Sequence, residues 1–490
     1  MTAKQAEKVG TDRQLFVDDF WIAGSHNVER ALHKPTRQEV AIASEHPWER
    51  LLSGYFLVMN DGSMWRMYYL CSGDLELQGT GWSYCGYAES EDGIEWRKPE
   101  LGIIDFEGSK ENNLVYGGPG LDFAPFLDAN PDAKKDEQYK AFVIQYTPGQ
   151  GRGGLLPLAS PDGLRWRPLS NEPVVPHGPF DFDAHNLPFW DSWRGEYVVY
   201  ARGSGGRGLG YGSLHWDDEL GKIVLDPKKG GVRWIRRATS PDFRNWSPLV
   251  DIDCGDAPFE ELYTNACTPY DRAPGTYLMF PSRFLPDRQP DNEIARQTAL
   301  LPGILNSANT GLNDIVFMSS RDGINFDRSF MEAFVRPGPD VENWRERGIY
   351  VGGGIVQTSP EEISIYSREH KYQPTVHIRR YTLRTDGFVS VHAGYKDGEF
   401  TTRPLIFSGR SLELNYSTSA VGSVKVEIQD AEGRPQPGFA MDDCPEMFAD
   451  EIEGIVRWKG GADVSGLAGK PVKLRIALMD ADLFAFKFND

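Results

Sequence analysis

The sequence lacks the features that identify several large classes of protein. No apolar run among its 490 residues approaches the length that crosses a bilayer, so we expect no membrane insertion. A Gly-rich phosphate loop followed by a lysine, a Gly-X-Ser-X-Gly elbow, a His-Glu-X-X-His pair and a Cys-X-X-Cys pair are also missing. The sequence therefore gives no indication of an enzyme class that depends on these motifs, and we expect no cofactor.

Cysteines and basic clusters are scarce as well. The five cysteines are Cys71, Cys85, Cys254, Cys267 and Cys444. Their irregular spacing indicates reduced thiols, with neither a disulfide framework nor a metal site. The formal net charge is −19 and no Lys/Arg cluster offsets it, which argues against a nucleic acid partner. Residues 1–14 lack the apolar core of a secretory signal, which predicts a cytoplasmic protein, or a secreted or periplasmic one if the chain was trimmed.

What the sequence contains is a repeat, Ser-X-Asp-Gly-X-X-aromatic. Its four copies are Ser90–Trp96, Ser160–Trp166, Ser240–Trp246 and Ser320–Phe326, the third with Phe243 in the glycine position. Asp-Gly between two β-rich stretches predicts a hairpin turn, because glycine tolerates a positive φ and aspartate bonds its own turn. The serines are 70, 80 and 80 residues apart, a period typical of propeller blades.

Between the copies the same succession of four short strands returns, which is the composition of a propeller blade. The same order of strands returns a fifth time, but here the repeat is reduced to the shortened hairpin Asp386–Phe388. After it, strands separated by Gly, Pro and Asp turns predict a β-sandwich. We therefore predict an all-β protein, with a five-bladed β-propeller over residues 15–395 and a C-terminal β-sandwich over residues 396–490.

Two further segments have predicted structural roles. The N-terminal segment with Asp18, Asp19, Arg30 and His33 is expected to close the ring by pairing with the last blade. The turn-rich stretch Asp287–Asn313 is expected to form a loop at the rim of the pocket.

Acidic residues stand just ahead of the predicted inner strands. The first strand of each blade lines the tunnel of a propeller, so these acids would converge from distant parts of the chain. They are Glu49, Asp122, Asp183, Glu260 or Glu261, and Glu346. Converging carboxylates raise one another's pKa, and glycoside hydrolysis needs such a protonated acid beside an ionised partner. The candidate catalytic residues are Glu49, Asp122, Asp183 and Glu261.

Other polar residues near these acids are candidates for binding a substrate. They are His185, Asn186, Tyr263, Asn265, Arg283, Glu346 and Arg347. Such side chains could bond sugar hydroxyls. A guanidinium, from Arg283 or Arg347, could also hold one carboxylate ionised while its neighbour stays protonated.

The architecture and four segments resemble the five-bladed glycoside hydrolase superfamily that contains families 32, 43, 62, 68, 117 and 130. The segments are LFVDD, FDAHNLPFWD, ELYTNA and GKPVKLRIALMDADLFAFKF, and they look like bacterial proteins described as family 32-like hydrolases. The resemblance implies a glycosidase that cleaves a furanoside or a chain-end sugar. It implies these roles: Glu49 as nucleophile or base, Asp122 or Asp183 as the acid that orients the substrate, and Glu261 as proton donor. The sequence motifs of family 32 itself are absent, so β-fructofuranosidase activity is not implied.

Two other functions stay open. One is a carbohydrate-binding propeller without turnover, in which the acids only hydrogen-bond sugar hydroxyls. The other is a phosphorylase or transferase of the same fold, which would need a basic phosphate subsite. Arg283, Arg347 and Arg379 are the candidates for that subsite.

Overall fold

A computed structural model shows a chain that is almost entirely β. It describes residues 6–72, 82–119, 121–147, 151–175, 182–183, 185–204, 213–217, 222–226, 233–285, 288, 311–344, 347–371 and 373–490. Helical structure in these residues consists of short 3-10 turns at Pro47–Glu49, Lys135–Glu137, Val341–Trp344, Met441–Asp443 and Ser465–Leu467. Within the described ranges no helix is long and apolar enough to cross a membrane. The predicted all-β class is therefore confirmed.

The strands are short at the centre of the chain and long at its C-terminal end. The first nine are β1 (Glu7–Gly10), β2 (Gln14–Leu15), β3 (Ile22–His26), β4 (Glu29–Leu32), β5 (Thr36–Ala43), β6 (Phe56–Asn60), β7 (Trp65–Cys71), β8 (Trp82–Ser90) and β9 (Leu114–Pro119). The next ten are β10 (Leu121–Leu127), β11 (Tyr139–Thr147), β12 (Gly151–Ser160), β13 (Arg167–Pro168), β14 (Leu187–Asp191), β15 (Glu196–Ser204), β16 (Ser213–Asp217), β17 (Lys222–Asp226), β18 (Arg233–Ser240) and β19 (Val250–Asp251). Then follow β20 (Glu261–Leu262), β21 (Thr268–Pro269), β22 (Tyr277–Met279), β23 (Ser282–Leu285), β24 (Leu312–Ile315), β25 (Met318–Ser320), β26 (Phe326–Asp327), β27 (Tyr350–Val351), β28 (Val356–Gln357), β29 (Glu362–Glu369) and β30 (His377–Arg384). The last six are β31 (Val389–Ala393), β32 (Gly398–Thr402), β33 (Leu405–Phe407), β34 (Ser411–Asp430), β35 (Asp450–Ile455) and β36 (Val472–Asn489).

Five antiparallel sheets follow one another along the chain. Their strand orders are β6-β7-β8-β9, β10-β11-β12-β13, β14-β15-β18-β19, β21-β22-β25-β26 and β27-β29-β30-β5. We number them one to five in this order. Two smaller units, β16-β17 and β20-β23-β24, accompany the third and fourth sheets.

In every copy of the repeat the serine hydroxyl donates to the aspartate, which accepts from the backbone N–H groups two and three residues further on. In the first copy the Ser90 hydroxyl accepts a hydrogen bond from the Gly93 N–H (2.8 Å) and donates to the Asp92 carboxylate (3.0 Å). Asp92 also accepts from the backbone N–H groups of Ile94 and Glu95. Gly93 has a φ of +75°, which glycine adopts without strain. The indole N–H of Trp96 then donates to the carbonyl oxygen of Gly93 (3.2 Å).

The repeat also joins neighbouring sheets. A tyrosine on the second strand of one sheet donates from its hydroxyl to the glycine carbonyl of another sheet's turn. The pairs are Tyr68 with Gly163 (3.1 Å), Tyr200 with Gly323 (2.6 Å) and Tyr366 with Gly93. These bonds join the first sheet to the second, the third to the fourth, and the fifth to the first.

The second and third sheets meet through a different pair. Phe243, which stands where the other copies have glycine, has a φ of +62° and is fully buried. Its ring stacks on Phe142 of β11, with centroids 4.7 Å apart. A ring contact thus replaces the hydroxyl-to-carbonyl bond at this junction.

The remaining strands, β1–β4 and β31–β36, form one ten-stranded sheet from both ends of the chain. Phe16 and Trp21 from the N-terminal end pack edge-on against Phe400 and Phe486, respectively. The predicted boundary between residues 395 and 396 falls between β31 and β32, inside this sheet. The domain bounds 15–395 and 396–490 stay a prediction.

The N-terminal region contributes to two sheets. β5 pairs with β30 and so completes the fifth sheet. The segment singled out in the sequence lies just before it: Arg30 is on β4 in the ten-stranded sheet, and Asp18 forms an ion pair with Arg321 (2.7 Å). The predicted rim loop Asp287–Asn313 lies mostly outside the described residues.

Candidate active site

Side chains at or near the starts of the first strands of all five sheets meet in one place. We call this group the central cluster. It consists of Tyr55, Asp122, Asp183, His185, Asn186, Tyr263 and Tyr350. Each of the five sheets contributes at least one member. Every member lies in the first strand of its sheet or in the short segment that precedes that strand.

Asp122 is a buried acid held by one neighbour. Its Oδ2 accepts hydrogen bonds from the backbone N–H (2.7 Å) and the side-chain amide (2.9 Å) of Asn186. Its Oδ1 is buried without a hydrogen-bond partner in the described part of the chain. Burial, and next the negative charge of Asp183, raise the pKa of Asp122 to about 7 despite the bonds from Asn186. A large fraction of Asp122 is therefore protonated at neutral pH.

His185 lies beside this acid and is also neutral. It is 1% exposed, and burial lowers its pKa to about 3. Its ring stacks on Tyr55, and its carbonyl oxygen accepts a hydrogen bond from the Asn265 amide (2.6 Å). Among the residues the structure describes, neither ring nitrogen has a hydrogen-bond partner. Buried polar atoms ordinarily have partners, so these nitrogens and Asp122 Oδ1 mark the part of the cluster suited to a polar ligand.

A chain of hydrogen bonds leads to Asp183. The Tyr263 hydroxyl donates to Asp183 Oδ2 (2.9 Å) and lies 2.8 Å from the Tyr55 hydroxyl. Tyr263 has one phenolic hydrogen and uses it on Asp183, so Tyr55 is the donor in the second bond. Burial raises the pKa of both phenols above the ordinary value. They stay protonated, and Tyr263 stabilises the ionised form of Asp183.

Two guanidinium groups lie near the ring of Tyr263. Arg233 lies 5.3 Å from the ring centroid of Tyr263 and donates to Glu261 (2.8 Å). Arg347 lies 5.8 Å from the same centroid. Glu261 and Arg347, both named from the sequence, are therefore at the edge of the central cluster.

Glu49 is not brought to the central cluster. Its carboxylate is fully buried. Oε1 accepts a hydrogen bond from the Tyr69 hydroxyl (2.7 Å), and Oε2 accepts from Lys98 (2.9 Å) and from the backbone N–H of Glu45 (2.9 Å). The geometry is that of a carboxylate which fixes a turn.

Arg283 also belongs to a separate group. It pairs with Glu260 (2.7 Å) and Asp314 (2.5 Å), and Arg328 pairs with the same glutamate (3.0 Å). Of the two adjacent glutamates, Glu260 thus joins this ion network and Glu261 joins Arg233. Glu346 lies outside the described residues.

One group of side chains in the described ranges is compact enough to ligate a metal ion, namely Glu369, His370 and His377. However, Glu369 already accepts hydrogen bonds from the guanidinium groups of Arg37 and Arg379. Two cations in contact with one carboxylate oppose the binding of a third. We assign this group to an ion-pair network.

Tyr55, Tyr350 and Arg233 were not predicted from the sequence. The predicted acids lie at or just before the first strands of the sheets, and Tyr55 occupies that same position directly before β6. Its position was therefore a signal in the sequence, although its side chain is aromatic and not acidic. Arg233 begins the third strand of its sheet, where the sequence carries no signal of convergence.

The sequence matches no model of a known protein family and no curated protein. Solved structures with a similar backbone include a family 43 arabinoxylan arabinofuranohydrolase from Bacillus subtilis, at 14% identity over 91% of this chain and 99% of that one, with a TM-score of 0.39. A family 32 β-fructofuranosidase from Bombyx mori has 9% identity over 92% and 94%, with a TM-score of 0.44. An N-acetylgalactosamine deacetylase from F. plautii has 12% identity over 73% and 96%, with a TM-score of 0.43.

Proposed function

We propose that the protein is a glycoside hydrolase whose active centre is the central cluster. The observation that carries the proposal is the pairing of two unlike carboxyl groups. Asp122 keeps its proton up to about pH 7, and Asp183 accepts a hydrogen bond from Tyr263. Glycoside hydrolysis needs both states: an acid protonates the leaving oxygen, and a carboxylate attacks the anomeric carbon or activates water.

The proposed scaffold is a five-bladed β-propeller in which each sheet is one blade, with a β-sandwich formed by the C-terminal strands. The turn contacts support it, since the bond from Tyr366 to Gly93 joins the fifth sheet to the first. The backbone N–H of Val58 also donates to the carbonyl of Gly353 across the same junction (2.8 Å). A ring would bring the inner strands together around one axis, which accounts for a cluster with members from every sheet.

Three carboxylates have proposed roles. Asp122 is the general acid, and Asp183 is the ionised partner, held by Tyr263. Glu261, fixed by Arg233, binds sugar hydroxyls at the edge of the cluster. Glu49 has a structural role in this proposal, because its oxygens are already used in holding a turn.

The proposed substrate is a neutral sugar at the end of a chain, with a furanoside as the first choice. By centroid, the ring of Tyr350 lies 6.3 Å from that of Tyr55 and 5.9 Å from that of Tyr263, and these rings offer apolar faces for the C–H side of a sugar. The uncharged ring nitrogens of His185 and Oδ1 of Asp122 are the polar atoms available to bond sugar hydroxyls. Such a mixture of aromatic faces and a few placed polar atoms is typical of small-molecule sites.

Turnover of glycosides tests the proposal. The panel consists of p-nitrophenyl α-L-arabinofuranoside, fructans, arabinoxylan and β-mannosides, assayed with and without inorganic phosphate. We expect hydrolysis of at least one, and Asp122→Asn and Asp183→Asn should each lower kcat about 10²- to 10⁴-fold. Circular dichroism should show that both variants are folded.

Asp191→Asn is the matched control. Asp191 is a buried aspartate at the far end of β14, where it is bonded to Arg194 and Tyr277, and this variant should keep the turnover of the wild type. Unchanged turnover in both cluster variants rejects the site. Binding of sugars without any turnover would favour the carbohydrate-binding alternative, and turnover only with phosphate would favour a phosphorylase.

A further inference from the structure

The ten-stranded sheet carries a groove of about 880 Å³ that is separate from the central cluster. Its floor comes from β3, β32, β34 and β36. Its walls come from the turn around Tyr395 and from the loop that holds Met441 and Glu446. None of the residues used so far to explain the proposed activity lines it.

The floor is a row of side chains set by strand register. His26 lies opposite Glu399, Glu399 opposite Ala477, and Ala477 opposite Lys425. Residues directly opposite one another in a sheet point to the same face. Four strands therefore present one continuous row, and Arg475 joins it by pairing with Glu399 (2.5 Å).

Tyr395 stands at the rim with its ring exposed. It is 76% exposed, the largest value among the large apolar and aromatic side chains described. A single exposed ring is normal on a protein surface. Here, however, the ring borders a groove floored by polar side chains, so a ligand in the groove would meet both.

The charges of the lining balance. The cations Lys396, Lys425 and Arg475 face the anions Asp397, Glu399 and Glu446. This surface has no net charge to attract an ionic polymer, but it is rich in hydrogen-bond donors and acceptors. The core of a protein–protein interface is, by contrast, depleted of charged residues. The volume lies within the range of about 300 to 1,000 Å³ that is usual for ligand sites.

We propose that this groove binds a neutral oligosaccharide segment, with Tyr395 stacked on a sugar ring and the floor bonding its hydroxyls. The site holds a polysaccharide at the ten-stranded sheet and is independent of the chemistry at the central cluster. It would therefore exist even if the central cluster had no catalytic activity.

Native electrophoresis in gels that contain a polysaccharide tests this site. The probes are arabinoxylan, levan and β-mannan as neutral chains and polygalacturonate as an anionic one. We expect at least one neutral chain to retard the wild type, and Tyr395→Ala to weaken the apparent affinity about tenfold. Lys425→Ala, on the floor, should weaken it as well.

Two controls separate this site from the proposed activity. Trp193→Ala truncates another exposed ring (57% exposed) on the third sheet and should leave the retardation unchanged. Asp122→Asn should lower the kcat of hydrolysis about 10²- to 10⁴-fold and keep the retardation. The proposal is overturned if no neutral chain retards the protein, if Tyr395→Ala and Lys425→Ala migrate as the wild type does, or if only polygalacturonate retards it.

Discussion

Asp122 and His185 show how burial can decide the charge of a residue. Burial raises the pKa of Asp122 to about 7 and lowers that of His185 to about 3. Both shifts favour the uncharged side chain. The protein thus holds a neutral acid and a neutral imidazole on either side of Asn186, while Tyr263 stabilises the ionised form of the nearby Asp183.

These two residues should change the free energy of unfolding with pH in opposite directions. The pKa of Asp122 is higher in the folded protein than its ordinary 3.8. The contribution of this carboxyl to the free energy of unfolding is therefore fully present below pH 3.8 and is lost as the pH rises to about 7. The pKa of His185 is lower than its ordinary 6.5. The contribution of this imidazole to the free energy of unfolding is therefore present above pH 6.5 and is lost as the pH falls towards 3. Each effect is at most about 5 kcal/mol.

Urea denaturation between pH 4 and pH 7 measures both effects. Relative to the wild type, Asp122→Asn should gain free energy of unfolding as the pH rises, because it no longer has a carboxyl to ionise. His185→Gln should lose free energy relative to the wild type over the same rise. Differences that stay constant with pH in both variants would contradict the assigned protonation states.

Glu49 provides a prediction that separates structure from catalysis. Its partners Tyr69 and Lys98 would be left without a carboxylate in Glu49→Gln. Breaking a buried ion pair destabilises a protein by about 3 kcal/mol or more, so we expect a loss of that size in chemical denaturation. The kcat of the folded variant should stay near that of the wild type. A large fall in kcat without a loss of stability would instead support the nucleophile or base role implied by the resemblance.

The sequence could locate only some of the cluster. Asp122, Asp183 and Tyr263 were predicted because each lies at the start of the first strand of a sheet or shortly before it, and that order can be read along the chain. Glu49 occupies a comparable position, but its environment is decided by Lys98, which folding brings from 49 residues away. Position in the chain therefore predicts proximity to an inner strand, and only the packed structure determines which way a side chain points.

At the scale of the elements, the turns of the repeat were predictable because they are local. Serine, aspartate and glycine bond one another within four residues, as Ser160 does with Asp162 and Gly163. The third copy differs in two linked positions. Phe243 replaces glycine, and Phe142 on the neighbouring sheet stands in for the tyrosine that bonds the glycine carbonyl at other junctions.

This pair predicts a favourable coupling between two substitutions. Phe243→Gly alone leaves a cavity and should cost about 3 kcal/mol. Phe142→Tyr alone buries a hydroxyl without a partner and should cost about 1 to 3 kcal/mol. In the double variant the new hydroxyl can donate to the carbonyl of residue 243, so the combined loss should be smaller than the sum by about 1 kcal/mol or more.

Guanidinium denaturation of the four proteins in this cycle measures the coupling. Tyr68→Phe is the control at another junction, where loss of the bond to Gly163 should cost about 1 kcal/mol. Strict additivity in the cycle would show that the junction between the second and third sheets is not equivalent to the others.

The whole molecule divides by strand pairing rather than by sequence order. All ten strands of the largest sheet lie within residues 7–32 and 389–489, and the five smaller sheets lie between them. Leu32 is paired directly with Val389, so the five sheets are inserted between two adjacent antiparallel strands. The sequence could not indicate this, because the pairing joins residues more than 350 positions apart.

An insertion of this kind predicts which part of the chain folds by itself. Residues 396–490 alone lack β31 and all the N-terminal strands, so Phe400 and Phe486 lose their contacts with Phe16 and Trp21. We expect this fragment not to unfold cooperatively. The backbone N–H of His33 donates to the carbonyl of Phe388 (2.9 Å). An Asn-Gly turn between His33 and Phe388 could therefore join β4 to β31 as a tight hairpin.

The chain of residues 6–33 joined through Asn-Gly to residues 388–490 should therefore fold as one unit. Circular dichroism with urea denaturation should give a cooperative transition for the joined chain and a gradual, featureless one for residues 396–490. The apolar surface that the five sheets normally cover, including Phe388, would be exposed, so both chains are compared at the same low concentration. A cooperative transition in the shorter fragment would contradict this prediction. It would show that residues 396–490 fold by themselves and that their core does not need the N-terminal strands.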